Sequence, residues 1–177
     1  MHRLFVALRP PRPMRARIAA VMGGVASARW QRDDQLHLTL RFIGEVDRHR
    51  ASDIVAALGA VHHPAFALAL DGMGQFDRKG RIDALWVGVT PHDPVKALHN
   101  KVDQALARVG VAPESRAFLP HITIARFARS AGPLSALMPE ARIVTSEPFE
   151  MNEFRLYESD LGHEGAVYSV VERYPLR

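Results

Sequence analysis

Between positions 36 and 42 the chain reads Leu-His-Leu-Thr-Leu-Arg-Phe, an alternation of apolar and polar residues. A period of two is the pattern of a strand buried on one face. It predicts Leu36, Leu38, Leu40 and Phe42 on the buried side and His37, Thr39 and Arg41 on the other, with Gly44 stopping the strand. His-Ile-Thr-Ile at 121–124 repeats the pattern 84 residues later, with His121 and Thr123 on one face and Ile122 and Ile124 behind them. Apolar runs at 4–8, 65–70 and 83–89 read as further strands, and 149–159 and 166–174 as two more, joined around Gly162 and Gly165. Helical spacing connects Met14, Ile18, Val21, Met22 and Val25. It connects Ala51, Ile54, Val55 and Leu58 behind Asp47 as cap, and Val95, Leu98, Val102, Ala105 and Val109 after an Asp93-Pro94 start, with Gly110 as terminator. A Gly132-Pro133 break opens a poorly patterned stretch.

Strands and helices that alternate in this way predict an α/β or α+β fold. The order also repeats. One strand–helix–strand unit begins near residue 4 and reaches its histidine motif at 37; a second begins near 84 and reaches its motif at 121. A duplicated fold, two lobes facing each other across a cleft, accounts for this repetition. At 177 residues the expectation is a single domain over 1–177 built from two such lobes.

Composition narrows the function classes. There is no cysteine, which excludes disulfides, thiol catalysis and thiolate zinc sites. No apolar run approaches the roughly 18 to 20 residues that span a bilayer. The opening apolar run is cut short by Arg-Pro-Pro-Arg-Pro and is followed by no small-residue cleavage signal, so the reading is a mature protein of the cytoplasm. The formal charge of +4 is uneven: residues 1–50 hold ten Arg and four acids, and 20 of the 23 basic residues are Arg. Arg suits phosphate partners through its rigid donor fork, and the same bias fits an arginine-rich proteome.

The repeated phrase carries the chemistry. Residues two apart in a strand stand on one face, about 6.5 to 7 Å from each other. Each motif therefore presents an imidazole and a hydroxyl side by side on an apolar-backed strand. Two such pairs facing one phosphate form a metal-free acid–base catalyst. One imidazole takes a proton from water, the other delivers a proton to the departing oxygen, and the threonines hold the non-bridging oxygens. A single such motif is far more often structural; two in matching units argue for a site. Metal binding is the rival use of nine histidines. However, His62 and His63 are adjacent in a loop-like stretch, no His-x-x-x-His or acidic cluster appears, and His2, His49, His92, His99 and His163 read as surface residues.

On these residues the chain resembles the 2H phosphoesterases, whose signature is a pair of HxTx motifs, here 37–40 and 121–124. From "RLFVAL" through "LHLTLRFIGEV", "FLPHITIARF" and "EFRLYES" to "YPL" it is similar to the RNA 2′,3′-cyclic phosphodiesterase family, also called 2′-5′ RNA ligases. The resemblance implies an α+β fold whose lobes are antiparallel-type sheets with helices outside and a cleft on a pseudo-twofold. It implies hydrolysis of RNA 2′,3′-cyclic phosphate ends to 2′-phosphomonoesters, with His37 as proton donor to the 3′ oxygen and His121 as the base that activates water. Thr39 and Thr123 match the phosphate-binding threonines and Arg126 the arginine after the second motif. The implied partner is an RNA or oligonucleotide end, acted on by a monomer with no cofactor, metal or membrane.

Strict alternation places Arg126 opposite to His121, so its use requires that the strand bulge or end near Ala125, or that the side chain reach around the edge. Arg41 falls on the face of His37, where it is either a solvent-facing strand residue or a phosphate contact. The amino-terminal arginines Arg9, Arg12, Arg15 and Arg17 offer charge to a longer backbone or form a solvated face. Phe5, Phe42, Phe76, Trp30 and Phe118 are the aromatics available to stack on a base, with Phe5 and Phe42 expected in the core. The competing functions are a 2H phosphoesterase for small cyclic nucleotides or 2′-5′ linkages, reversible ligation at the same site, and a non-catalytic module that binds RNA ends.

Overall fold

A computed structural model of the chain describes residues 1–128 and 144–177; the Gly132-Pro133 break lies outside them. The order is β1 (His2–Leu8), α1 (Arg12–Ala19), β2 (Ala28–Trp30), a 3-10 turn (Asp33–Gln35), β3 (Leu38–Val46), α2 (Arg48–Gly59), β4 (Phe66–Arg78), β5 (Arg81–Thr90), α3 (Asp93–Arg108), β6 (His121–Phe127), β7 (Phe149–Met151), β8 (Glu153–Gly162) and β9 (Gly165–Pro175). The strands form an antiparallel α+β sheet ordered β7-β4-β5-β6-β3-β1-β8-β9, with β2 joined to β6. β3 and β6, the two motif strands, are neighbours at the centre. Among the described residues no helix is long and apolar enough to cross a membrane.

Leu4, Val6 and Leu8 of β1 face one core, shared with Met14 and Ile18 of α1, Ile54 and Leu58 of α2, and Val95, Leu98 and Val102 of α3. Phe5 and Ala7, on the alternate face, pack instead with Tyr157 in a small separate cluster. The helices thus cover one face of the sheet and leave the other to the cleft. Each helix follows from its local sequence. The Asp47 carboxylate accepts the Arg50 amide at 2.8 Å and starts α2. Gly110, at φ +83°, ends α3 in a Schellman motif, with the Gly110 amide on Ala107 and the Val111 amide on Leu106. The first helix is shorter than its periodicity predicts, because Gly23 and Gly24 take positive φ and Val25 reaches the core from beyond it.

Two strands run on past their predicted ends. β3 continues through Gly44 to Val46, and β4 continues to Arg78 beyond the predicted 65–70. Bulges cause the more consequential departures. Opposite β1, Thr39 pairs with Ala7 and Arg41 with Val6, so Leu40 is an extra residue; Phe42 pairs with Phe5 and Gly44 with Leu4, so Ile43 is another. Opposite β5, Thr123 pairs with Trp86 and Ala125 with Leu85, so Ile124 is extra. Each extra residue reverses the facing of those after it.

Candidate active site

The one bridge between the motif strands pairs Leu38 with Ile122. Continuing its register by one residue each way sets His37 opposite Thr123 and Thr39 opposite His121. The imidazoles then lie on a diagonal, roughly 7–8 Å apart at Cα. All four side chains are half-buried and share the face opposite to the main core.

Both histidines are held in the same way. His37 Nδ1 lies 2.7 Å from the Gln35 carbonyl and His121 Nδ1 lies 2.7 Å from the Leu119 carbonyl. A carbonyl only accepts, so each Nδ1 carries the proton and donates it, and each neutral ring keeps its lone pair on Nε2. Among the described residues neither Nε2 has a partner, and neither is sealed from solvent. Aromatic walls match as well. His37 packs against Phe5 (4.9 Å between centroids) and edge-on against Tyr168 (5.2 Å). His121 packs edge-on against Phe76 (4.8 Å) and against Trp86 (5.9 Å).

These walls set the protonation states. Burial pushes the His37 imidazolium down to about 4, opposed by the Gln35 carbonyl and reinforced by Arg126, His121 and Arg9. Burial also lowers His121, against the Leu119 carbonyl and with the help of Arg126. The His37 ring is therefore neutral at pH 7.

The bulges decide which arginine shares the face of the histidines. Beyond Ile124, Ala125 turns into the core and Arg126 returns to the face of His121 and Thr123, exposed. Beyond Leu40 the same reversal sends Arg41 into the core, where it is 6% exposed. Its guanidinium bonds Asp103 at 2.7 Å and the carbonyls of Phe42 and Ala112. Arg41 is therefore neither a phosphate contact nor a solvent-facing residue; it clamps β3 to α3 and to the loop leading to His121. Phe42, expected in the core, is 45% exposed on the cleft side, stacked on Phe5 and below Arg3. Position for position, Arg41 corresponds to Ala125 and Phe42 to Arg126.

Other assignments also change. His99, read as a surface residue, is buried: it donates to the Leu40 carbonyl at 2.6 Å and stacks on Phe118 at 4.1 Å. His63 is buried as well. Arg9 and Arg15 are tied to Asp33, and Arg17 donates to the Thr145 carbonyl, whereas Arg12 stays exposed. Trp30 is half-buried beside the cleft. Trp86 and Tyr168 were not legible as site residues. Trp86 sits in an apolar run, and Tyr168 alternates with small residues on a strand distant in sequence. Among the described residues no three His, Asp or Glu side chains converge as a metal site would require.

A family model described as the 2′-5′ RNA ligase superfamily matches residues 6–163. The chain belongs to that superfamily. Within the 2′-5′ RNA ligase superfamily it is similar to the RNA 2′,3′-cyclic phosphodiesterase of Aeropyrum pernix, at 34% identity over 142 residues, covering 78% of this chain and 81% of that one. It is likewise similar to the RNA 2′,3′-cyclic phosphodiesterase of Escherichia coli K12, at 32% identity over 144 residues, covering 81% of this chain and 77% of the other. Among solved structures of this superfamily's fold, E. coli LigT in apo form superposes with a TM-score of 0.80 at 30% identity, covering 99% of this chain and 97% of that one.

Proposed function

We propose that the protein is an RNA 2′,3′-cyclic phosphodiesterase that hydrolyses cyclic phosphate ends to 2′-phosphomonoesters by two-histidine acid–base catalysis. The observation that carries the reading is the pair of imidazoles at neighbouring strands, each with Nδ1–H held by a backbone carbonyl and Nε2 left without a partner among the described residues. RNA 2′,3′-cyclic phosphodiesterases are also the curated relatives the chain resembles, and solved LigT complexes contain 3′-AMP, ATP and phosphate.

In this reaction His121 Nε2 takes a proton from water as its oxygen attacks phosphorus. The bond from phosphorus to the 3′ oxygen breaks, and His37 Nε2–H protonates that oxygen. The phosphate stays on the 2′ oxygen, and the two histidines exchange their net proton with solvent. Thr39 and Thr123 hydroxyls donate to the non-bridging oxygens, and Arg126 supplies positive charge. Burial, helped by Arg126, keeps His37 neutral without a ligand, and the negative charge of an arriving phosphate favours the protonated ring that delivers the proton.

The site is read as two halves of a duplicated fold related by a pseudo-twofold between Leu38 and Ile122. Supporting this are the mirrored strand order β4-β5-β6 and β8-β1-β3, the bulge directly after each motif threonine, and the matching walls of the two histidines.

The test is hydrolysis of a short oligoribonucleotide ending in a 2′,3′-cyclic phosphate, followed by ³¹P NMR. A 2′-monoester should form, and His121→Ala should lower kcat by about 10²-fold or more with binding retained. A 3′-monoester, hydrolysis confined to small cyclic nucleotides, or an unchanged kcat in His121→Ala would overturn the proposal.

A further inference from the structure

Behind Tyr168, which packs edge-on against His37, lies a cavity of ≈ 230 Å³ that shares only Arg126 with the residues of the proposed reaction. Its floor is the contact of β2 with β6, where Arg29 pairs directly with Arg126. Opposed residues of an antiparallel pair share a face with Cβ atoms about 4.5–5.5 Å apart, and like charges so placed repel. Among the described residues neither arginine has an acidic partner, although Arg9, Arg15, Arg32, Arg41 and Arg155 each do. Both are exposed, so solvent screens part of this repulsion and both guanidinium groups are open to a ligand.

The far wall is Tyr168, whose other side is the edge-on contact with His37. Arg32 lines the rim, held by Asp34 and by the Glu164 and Ala166 carbonyls, so it adds charge at a fixed place. Burial pushes the Tyr168 phenol up, while Arg126, Arg3, Arg32 and Arg29 together pull it down. Positive charge therefore converges on a pocket one side chain away from the proposed proton donor.

We propose that Arg29 and Arg126 form a second anion subsite that holds the phosphodiester on the 5′ side of the terminal nucleotide. This rests on the proposed RNA-end reaction. A 2′,3′-cyclic phosphate occupies both lower ribose oxygens, so any further phosphate on that nucleoside hangs from its 5′ oxygen. Arg126 lies three residues, on the order of 10 Å of strand, beyond Thr123, and its several donors can face both phosphates. Arg29, one strand further out, faces only the second. The subsite makes the enzyme prefer a chain end over a mononucleotide and neutralises what is otherwise an uncompensated pair.

The test compares ApA 2′,3′-cyclic phosphate with adenosine 2′,3′-cyclic phosphate on the wild type, Arg29→Gln and Arg29→Lys. Wild type should favour the dinucleotide. Arg29→Gln should raise its KM about tenfold with kcat retained, and should lower the slope of log KM against log salt by about 0.7, the share of one phosphate contact on a single strand. Arg29→Lys should recover part of the loss, and the mononucleotide should change less than about twofold on a scale where one charged contact is worth tenfold. Equal use of both substrates by the wild type, or an equal loss on both in Arg29→Gln, would overturn the subsite and leave the reaction standing. If the wild type hydrolyses neither, the proposed reaction falls. Equilibrium binding of ApAp and 3′-AMP to the same proteins then decides the subsite: weakening of ApAp alone supports it, and no weakening refutes it.

Discussion

His37 makes the fold acid-sensitive in a way that can be measured without substrate. In the folded chain its imidazolium is pushed down to about 4, mainly by burial; in the unfolded chain it titrates near 6.5. Between these values the unfolded state binds the extra proton, so stability rises with pH in that window and is lost as pH falls from 6.5 towards 4. Two and a half pH units at about 1.4 kcal/mol each give roughly 3 kcal/mol. Replacing His37 by Gln removes the titrating group. Other sources of acid sensitivity, such as Asp33 held low by Arg15 or Glu114 held low by the Arg116 amide, remain in both proteins and cancel in the difference. Urea denaturation from pH 7 to pH 4 should therefore show the difference between His37→Gln and wild type moving by about 3 kcal/mol in favour of the variant. A difference that stays flat across that range would refute the reasoning.

Further outcomes follow from the same geometry. Since the free cleft disfavours protonated His37 and a bound anion favours it, kcat/KM should reach its optimum at a lower pH than kcat; coincident optima would count against ligand-assisted protonation. Asp103→Ala leaves the buried Arg41 guanidinium without its carboxylate and should cost about 3 kcal/mol in urea unfolding; a loss within 0.5 kcal/mol, the size of an ordinary surface substitution, would show that the clamp is unimportant. A Cβ at Gly74 would fall inside the Trp86 indole, so Gly74→Ala should displace the wall of His121, altering tryptophan emission and lowering kcat; unchanged emission and rate would show that the wall is not needed. Activity should persist in excess EDTA, and a loss restored by a divalent ion would overturn the metal-free route.

The parts of the site legible in the sequence are those that depend on period and order. Alternation identified His37, Thr39, His121 and Thr123 as presented side chains, and the repeated strand–helix–strand order marked the two motifs as a pair, which the fold sets on adjacent central strands. Period fails where the backbone carries an extra residue. Nothing in Leu38-Thr39-Leu40 differs from ordinary alternation, yet the bulge at Leu40 exchanges Arg41 and Phe42 between core and cleft. The corresponding difficulty at Arg126 was visible only as a conflict, which the bulge at Ile124 removes. Buried polar residues are equally hard to read, since their partners come from afar: His99 meets Leu40 across 59 positions, and Arg41 meets Asp103 across 62.

The strand order has a consequence for the birth of the protein. Apart from the short β2, the half of the sheet that carries His121 comes from one stretch of the chain, from β4 to β7, whereas the half that carries His37 is closed by β8 and β9 from the opposite end. Glu158 meets Leu4 in that closure, and Tyr168 arrives still later. Contacts so distant in sequence form slowly. On the ribosome both histidine motifs are therefore made well before the wall that shields the first of them, and a nascent chain stopped after β7 carries two complete signatures around half a pocket. The pocket around His37 should close only once the β8–β9 hairpin has been made and has docked on β1.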